Sequence, residues 1–133
     1  MRYISWNYRG LGFALKEVAL KDLIRIHNPE ILLLQETKLE EAILLQAGKS
    51  FWKKGPGSAI SSRGASGGIG TFWDSCLYDL ETEERTLHWI YTKLIHKPSG
   101  QSVSLFNLYV PVLFSEKKRM LDQPGIVPQQ APA

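Results

Sequence analysis

A chain of 133 residues, 44% hydrophobic and 22% charged, has the balance of one soluble globular domain with room for a true core, which excludes a disordered polyelectrolyte. Sixteen basic residues against 13 acidic ones leave a net charge of +3, a mild bias compatible with a polyanionic partner. The single cysteine, Cys76, excludes an internal disulfide framework and Cys-rich zinc modules; without a basic-then-apolar leader or a run of about 18 apolar residues, a soluble, intracellular protein is expected.

Tyr3-Ile4-Ser5-Trp6-Asn7 is a short run of β-formers that ends in a polar side chain, and Ile31-Leu32-Leu33-Leu34-Gln35-Glu36 is another. Both read as buried strands. Between them, Gly10 and Gly12 loosen the chain into a loop. Leu15, Ala19, Leu20, Leu23, Ile24 and His27 then mark one face of a helix over residues 14–28, which Pro29 stops. A crossover of that length makes the two strands parallel neighbours. Asn7 and Glu36 then share the C-terminal edge of the sheet, where open α/β sheets place their ligands. The continuous aliphatic centre of the second strand predicts cover on both of its faces.

Thr37 and Glu40 have the spacing of a capping box, with a short helix over residues 38–47 to follow. Ala47-Gly48-Lys49-Ser50 imitates the end of a phosphate-binding loop. Ile43 stands where the first glycine of that loop is required, so the phosphate-loop reading is rejected.

From residue 51 onward the texture is that of short strands. Residues 51–54, 58–61, 68–73, 87–95 and 103–110 are β-like, separated by Gly, Pro and Ser clusters. Pro98-Ser99-Gly100-Gln101 predicts a hairpin turn. Ser115 is placed to cap a short helix over residues 116–121. Residues 123–133 hold three prolines and three glutamines with almost nothing to anchor in a core, and are expected to be a disordered tail.

Ser5-Trp6-Asn7 followed by Leu34-Gln35-Glu36-Thr37-Lys38 resembles the endonuclease/exonuclease/phosphatase superfamily, in particular the apurinic-type endonuclease domain of LINE-like (non-LTR) retrotransposons. Arg9-Gly10-Leu11-Gly12, Gly67-Gly68-Ile69 with Phe72-Trp73-Asp74, and Asn107-Leu108-Tyr109-Val110-Pro111 extend the likeness in order. It covers residues 2 to about 122, which is the N-terminal half of such a domain. The fold this implies is a truncated four-layer α/β/β/α sandwich of the DNase I-like type, over residues 1–122. The activity it implies is a Mg2+-dependent DNA-nicking phosphodiesterase, with Mn2+ as the alternative ion.

Candidate chemistry follows residue by residue. A carboxylate at the end of a buried strand needs a partner, and Mg2+ takes oxygen ligands with one or two carboxylates among them. In the family the Glu of this motif, here Glu36, is the metal ligand; the bland reading is a strand-end acid solvated beside Lys38. Asn7 matches the active-site Asn, against a turn Asn bonding its own backbone. Tyr109 matches the Tyr that contacts the scissile phosphate, since a phenol can donate to a phosphoryl oxygen; the bland reading is a core aromatic. Val112 stands where the family usually has Asn.

Arg9, Lys53, Lys54 and Arg63 are candidates for the nucleic-acid backbone, and Lys117, Lys118 and Arg119 form a second basic cluster. Solvated surface charge is the ordinary reading of both groups. His27, His88 and His96 lack metal-ligand spacing and read as structural or surface residues.

The Gly-Asp-x-Asn and Ser-Asp-His motifs of the family's second half are absent. The expected function is therefore a nicking endonuclease in catalytically impaired form. The alternative is a non-catalytic remnant binding nucleic acid weakly. DNA is the implied partner, no membrane is involved, and self-association through an exposed sheet edge is expected. Nuclear location is expected if the retrotransposon function is retained.

Overall fold

In the computed structural model, residues 1–9, 14–63 and 66–108 are described, without the side chains of residues 14, 15, 62, 63 and 66. The expected loop at Gly10 and Gly12, Tyr109, the helix over 116–121 and the tail over 123–133 lie outside the described residues.

Strand β1 (Tyr3–Asn7) is followed by helix α1 (Ala14–His27) and strand β2 (Ile31–Gln35). β1 and β2 pair in parallel, Tyr3 opposite Ile31 and Asn7 opposite Gln35. Helix α2 (Glu41–Phe51) leads to the antiparallel hairpin of β3 (Gly57–Arg63) and β4 (Ser66–Trp73), and β4 returns along the other side of β2. The first sheet therefore runs β1-β2-β4-β3. Strands β5 (Tyr78–Arg85), β6 (Trp89–His96) and β7 (Ser102–Leu108) form a second, antiparallel sheet in that order.

Two cores hold three layers together, and β2 contributes to both because alternate side chains of a strand point to opposite faces. Leu32 and Leu34 join Leu20 of α1, Leu44 and Phe51 of α2, and Phe72 of β4 on the helix side. Ile31 and Leu33 join Trp73, Tyr78, Leu94 and Leu105 between the sheets. All five residues of β2 are buried, as its aliphatic run requires. Helices, first sheet and second sheet form three of the four layers that the resemblance implies. Among the described residues no helix covers the outer face of the second sheet, and none is long and apolar enough to cross a membrane.

Several local expectations change. Phe51-Trp52-Lys53-Lys54 is no strand: Leu44, Gly48 and Phe51 fall at helical spacing on the buried face of α2, and packing on that stripe overrides the β-propensity of the aromatics. Trp52 ends the helix, buried, its indole N–H donating to the Trp73 carbonyl at 3.0 Å. The capping box does not form. Thr37 is buried in the preceding turn, and α2 begins only at Glu41, whose amide donates to Ser61 Oγ at 2.9 Å. A residue distant in sequence thus does the capping.

β5 escaped the sequence reading because its exposed, acid-rich run lacks apolar alternation; its β6 partner and the Lys93–Glu81 ion pair (3.0 Å) hold it. The turn at Pro98–Gln101 is present, with Gly100 at φ +72° and its amide donating to the His96 carbonyl.

Two predictions follow from this packing. Leu44→Ala, at a fully buried position, should cost about 2–5 kcal/mol by urea unfolding. Ile43→Ala, on the 52% exposed neighbouring position, should stay within about 0.5 kcal/mol. The second concerns Tyr78, whose hydroxyl donates to Glu30 Oε1 at 2.7 Å. Burial first, then the hydrogen bond and the charge of Glu30, raise its pKa well above the ordinary tyrosine range. Its protonated form is favoured in the folded state, so its contribution is fully present below about pH 10 and is lost as pH rises beyond that. Tyr78→Phe should flatten the alkaline arm of the stability–pH curve measured by denaturant titration.

Candidate functional site

The C-terminal ends of β1 and β2 lie side by side, as the parallel register dictates. Asn7 is the exposed last residue of β1, and alternation puts it on the same face as Tyr3 and Ser5, toward the second sheet. The Tyr8 amide continues the ladder by donating to the Gln35 carbonyl at 2.9 Å. Lys16, one turn into α1, donates to the Tyr8 and Arg9 carbonyls at 3.2 and 2.7 Å, tying the helix to the end of β1.

Glu36 follows β2 with φ +52°, a left-handed conformation that breaks the strand and turns its side chain out of the alternating pattern. Arg9 (φ +51°) and Lys38 (φ +59°) share that conformation, so three of the four non-glycine positive-φ residues described lie at this one edge. Each such residue costs about 1–3 kcal/mol and persists only where its surroundings over-determine it; strain of this kind gathers at functional sites.

The over-determining contacts are visible. The Thr37 amide donates to the Gly68 carbonyl at 3.0 Å and the Lys38 amide to the Gly67 carbonyl at 2.8 Å. Gly67 and Gly68 have φ +82° and +86°, and a Cβ on Gly68 would run into Thr37 Oγ1. The two glycines therefore clasp the turn that carries Glu36.

Glu36 keeps about a third of its side-chain area exposed (36%), and Arg9 Nε stands 3.9 Å from its Oε2. With the Arg9 side chain 73% exposed, solvent screens this pair and it holds Glu36 weakly. The carboxylate is thus fixed by its backbone and left available in front. Among the described residues, no three His, Cys, Asp or Glu side chains converge as a metal cluster.

Beneath the edge lies a polar layer that the sequence reading left unassigned. Gln35 and Asn107 are both buried between the sheets. Gln35 Nε2 donates to Asn107 Oδ1 at 2.9 Å and to Ser5 Oγ at 3.2 Å. Asn107 Nδ2 reaches the Gly70 carbonyl (2.9 Å), the Leu34 carbonyl (3.3 Å) and Thr71 Oγ1 (3.2 Å). Gln35 Oε1 is buried without a hydrogen-bond partner among the described residues. The signal available in the sequence was a carboxamide on an otherwise apolar alternating face: Gln35 after Ile31 and Leu33, Asn107 after Val103 and Leu105.

The remaining candidates scatter. Lys54 donates to Asn28 Oδ1 and to the Pro29 carbonyl (2.7 Å), at the entry to β2. It and exposed Lys53 thus lie at the end of the sheet opposite Glu36. The backbone of Arg63 pairs with Ser66 at the tip of the β3–β4 hairpin, on the Glu36 side. Tyr109 lies outside the described residues, one position beyond Leu108, where β7 reaches this same edge. His27 and His88 are exposed, and His96 Nδ1 bonds Ser99 Oγ at 2.7 Å.

Gly68→Ala tests the clasp. The substitution should cost about 1–3 kcal/mol in denaturant unfolding, because left-handed strain is joined by the clash with Thr37. Gly100→Ala, at φ +72° with nothing within 4 Å of a new Cβ, should carry the backbone strain alone, about 1 kcal/mol.

No protein-family model matches the chain, and no curated protein matches it in sequence. Solved structures do. An AP endonuclease, LMAP from Leishmania major, superposes with TM-score 0.62 at 19% identity, over 92% of this chain and 44% of that one. The catalytic domain of Xenopus laevis APE2 gives 0.62 at 18% identity, over 90% and 48%. A humanized D. rerio TDP2 gives 0.65 at 15% identity, over 90% and 51%. The chain thus spans about half the length of these neighbours, and what it shares with them is the DNase I-like fold.

Proposed function

We propose that this chain carries part of a Mg2+-dependent phosphodiesterase site acting on DNA, of the nicking-endonuclease type found in LINE-like retrotransposons. The observation that carries the reading is Glu36: a carboxylate on a strained, glycine-clasped turn, beside Asn7, at the ligand-binding edge of the sheet. The neighbours' names support it, since they include an AP endonuclease and a 3' phosphatase bound to a product DNA hairpin.

The donor set fits magnesium. That ion takes oxygen ligands, commonly one or two carboxylates with waters and substrate phosphate. Glu36, accessible and weakly paired, would hold it together with the Asn7 amide oxygen. When bound, the ion supplies Lewis-acid polarisation of a phosphoryl oxygen.

The chain's own residues would do the rest of the positioning. The Asn7 amide can donate to a non-bridging phosphate oxygen, and Arg9 adds positive charge alongside. Tyr109 would donate its phenolic proton toward the scissile phosphate.

We infer that the part of the site on this chain is impaired by itself: among the described residues no cluster of three His, Cys, Asp or Glu side chains gathers with Glu36, and a phosphodiesterase working without its general base loses about 10²–10⁴-fold. The second reading, weak binding without cleavage, draws on the same feature. Binding of that kind would weaken steeply with salt. If the parent activity is retained, the nucleus is where it would act.

Two measurements test this. Manganese titration followed by electron paramagnetic resonance should show binding that Glu36→Ala abolishes and Asn7→Ala weakens; binding indifferent to Glu36 would sink the metal site. Nicking of supercoiled plasmid with Mg2+ should not exceed the Glu36→Ala background. Fast, EDTA-sensitive and Glu36-dependent nicking would overturn the impairment.

A further inference from the structure

We propose that Gln35 and Asn107 form a buried positioning pair that sets the turn carrying Glu36 and locks it to the end of β7. The proposal deepens the metal-site reading, on which its consequence at Glu36 rests. Gln35 immediately precedes Glu36, and Asn107 stands two residues before Tyr109. The contact between the two carboxamides therefore joins the strand ends that lead to both candidate groups.

The composition of the inter-sheet layer carries the argument. Away from Glu36 it holds the apolar cluster of Ile31, Leu33, Leu94 and Leu105, with Thr92 the buried polar residue opposite Leu105. At the Glu36 end it becomes polar, with Ser5, Gln35, Thr71 and Asn107 in one hydrogen-bonded group. Apolar contacts tolerate sliding, whereas hydrogen bonds set distance and direction, so a polar group at one end of a greasy interface registers the sheets there.

Asn107 spans three strands. From β7 its Nδ2 reaches carbonyls on β2 and β4, the two strands whose continuations meet in the Thr37–Gly68 and Lys38–Gly67 contacts. The carboxamide orientations follow from the donors: Asn107 must aim Nδ2 at the carbonyls, so its Oδ1 must receive Gln35 Nε2. Gln35 Oε1 is then left buried and without a partner among the described residues, a cost that packing alone would avoid by using an apolar side chain. In this arrangement Gln35 and Asn107 touch no substrate; they act on the Glu36 turn through the backbone.

A double variant, Gln35→Leu/Asn107→Leu, separates positioning from packing, since exchanging both partners for apolar groups leaves neither carboxamide orphaned. In the full chain, hydrogen exchange of the Thr37 and Lys38 amides should quicken by about tenfold or more while the Leu33 and Leu94 amides keep their protection. Mn2+ affinity, read by electron paramagnetic resonance, should fall by about tenfold or more, the usual effect of losing a group that orients a ligand. Unchanged exchange at Thr37 and Lys38 in a folded double variant overturns the proposal.

Should the double variant lose protection throughout, Ser5→Ala decides. It removes one acceptor of Gln35 Nε2 and should give the same local quickening at smaller amplitude; no change overturns the proposal. A wild-type Mn2+ signal that Glu36→Ala leaves intact defeats the metal reading instead, and the exchange data then judge the positioning pair by themselves.

Discussion

Strand β2 is packed on both faces, and that double burial is the constraint on which the other elements depend. Leu32 and Leu34 give the helices something to cover; Ile31 and Leu33 give the second sheet its seat. A strand in that position must have a neighbour on each side, and β1 and β4 supply them. Each buried aliphatic side chain contributes about 1.5–3 kcal/mol, so this short strand does much of the work of holding three layers together.

The same burial explains the site. A strand that cannot shift makes a stable platform, and the residue after it inherits that rigidity. Glu36 departs from the strand in a left-handed conformation because the Gly67-Gly68 backbone receives the next two amides. Glycine is needed there because the approach to Thr37 leaves no space for a Cβ. The strain is thus held by hydrogen bonds from another strand, and the carboxylate at its tip remains accessible.

Gln35 and Asn107 place a hydrogen-bonded polar group between the sheets at the Glu36 edge. Carboxamides cost more to bury than leucines unless fully bonded, and Gln35 is not fully bonded among the described residues. Their contribution is directional, and it falls where the strand ends converge. The group costs some stability at the Glu36 edge, which the apolar contacts of Ile31, Leu33, Leu94 and Leu105 offset.

Much was legible from residue type and spacing. The parallel β1–β2 pair, the helix between them, the full burial of β2 and the shared edge of Asn7 and Glu36 are consequences of hydrophobic period and crossover length, which are local properties. So is the turn at Gly100. What the sequence could not decide depended on partners distant in the chain. Phe51 and Trp52 look like strand residues until a sheet is present to receive the stripe of α2. Thr37 looks like a cap until Gly68 closes over it, and Ser61 takes the capping role from 20 residues away. The polar run of β5 becomes a strand only because β6 offers a ladder. Which basic residues face the site was equally non-local: Lys53 and Lys54 sit at the far end of β2, while the Arg63 backbone lies at the near end. Sequence by itself determined the ends of β1 and β2 and which side chains stand there, because periodicity and turn residues act within a few positions. Tertiary structure decided the backbone strain at Glu36 and the Gln35–Asn107 contact, because both require side chains and carbonyls that only the folded sheets bring together.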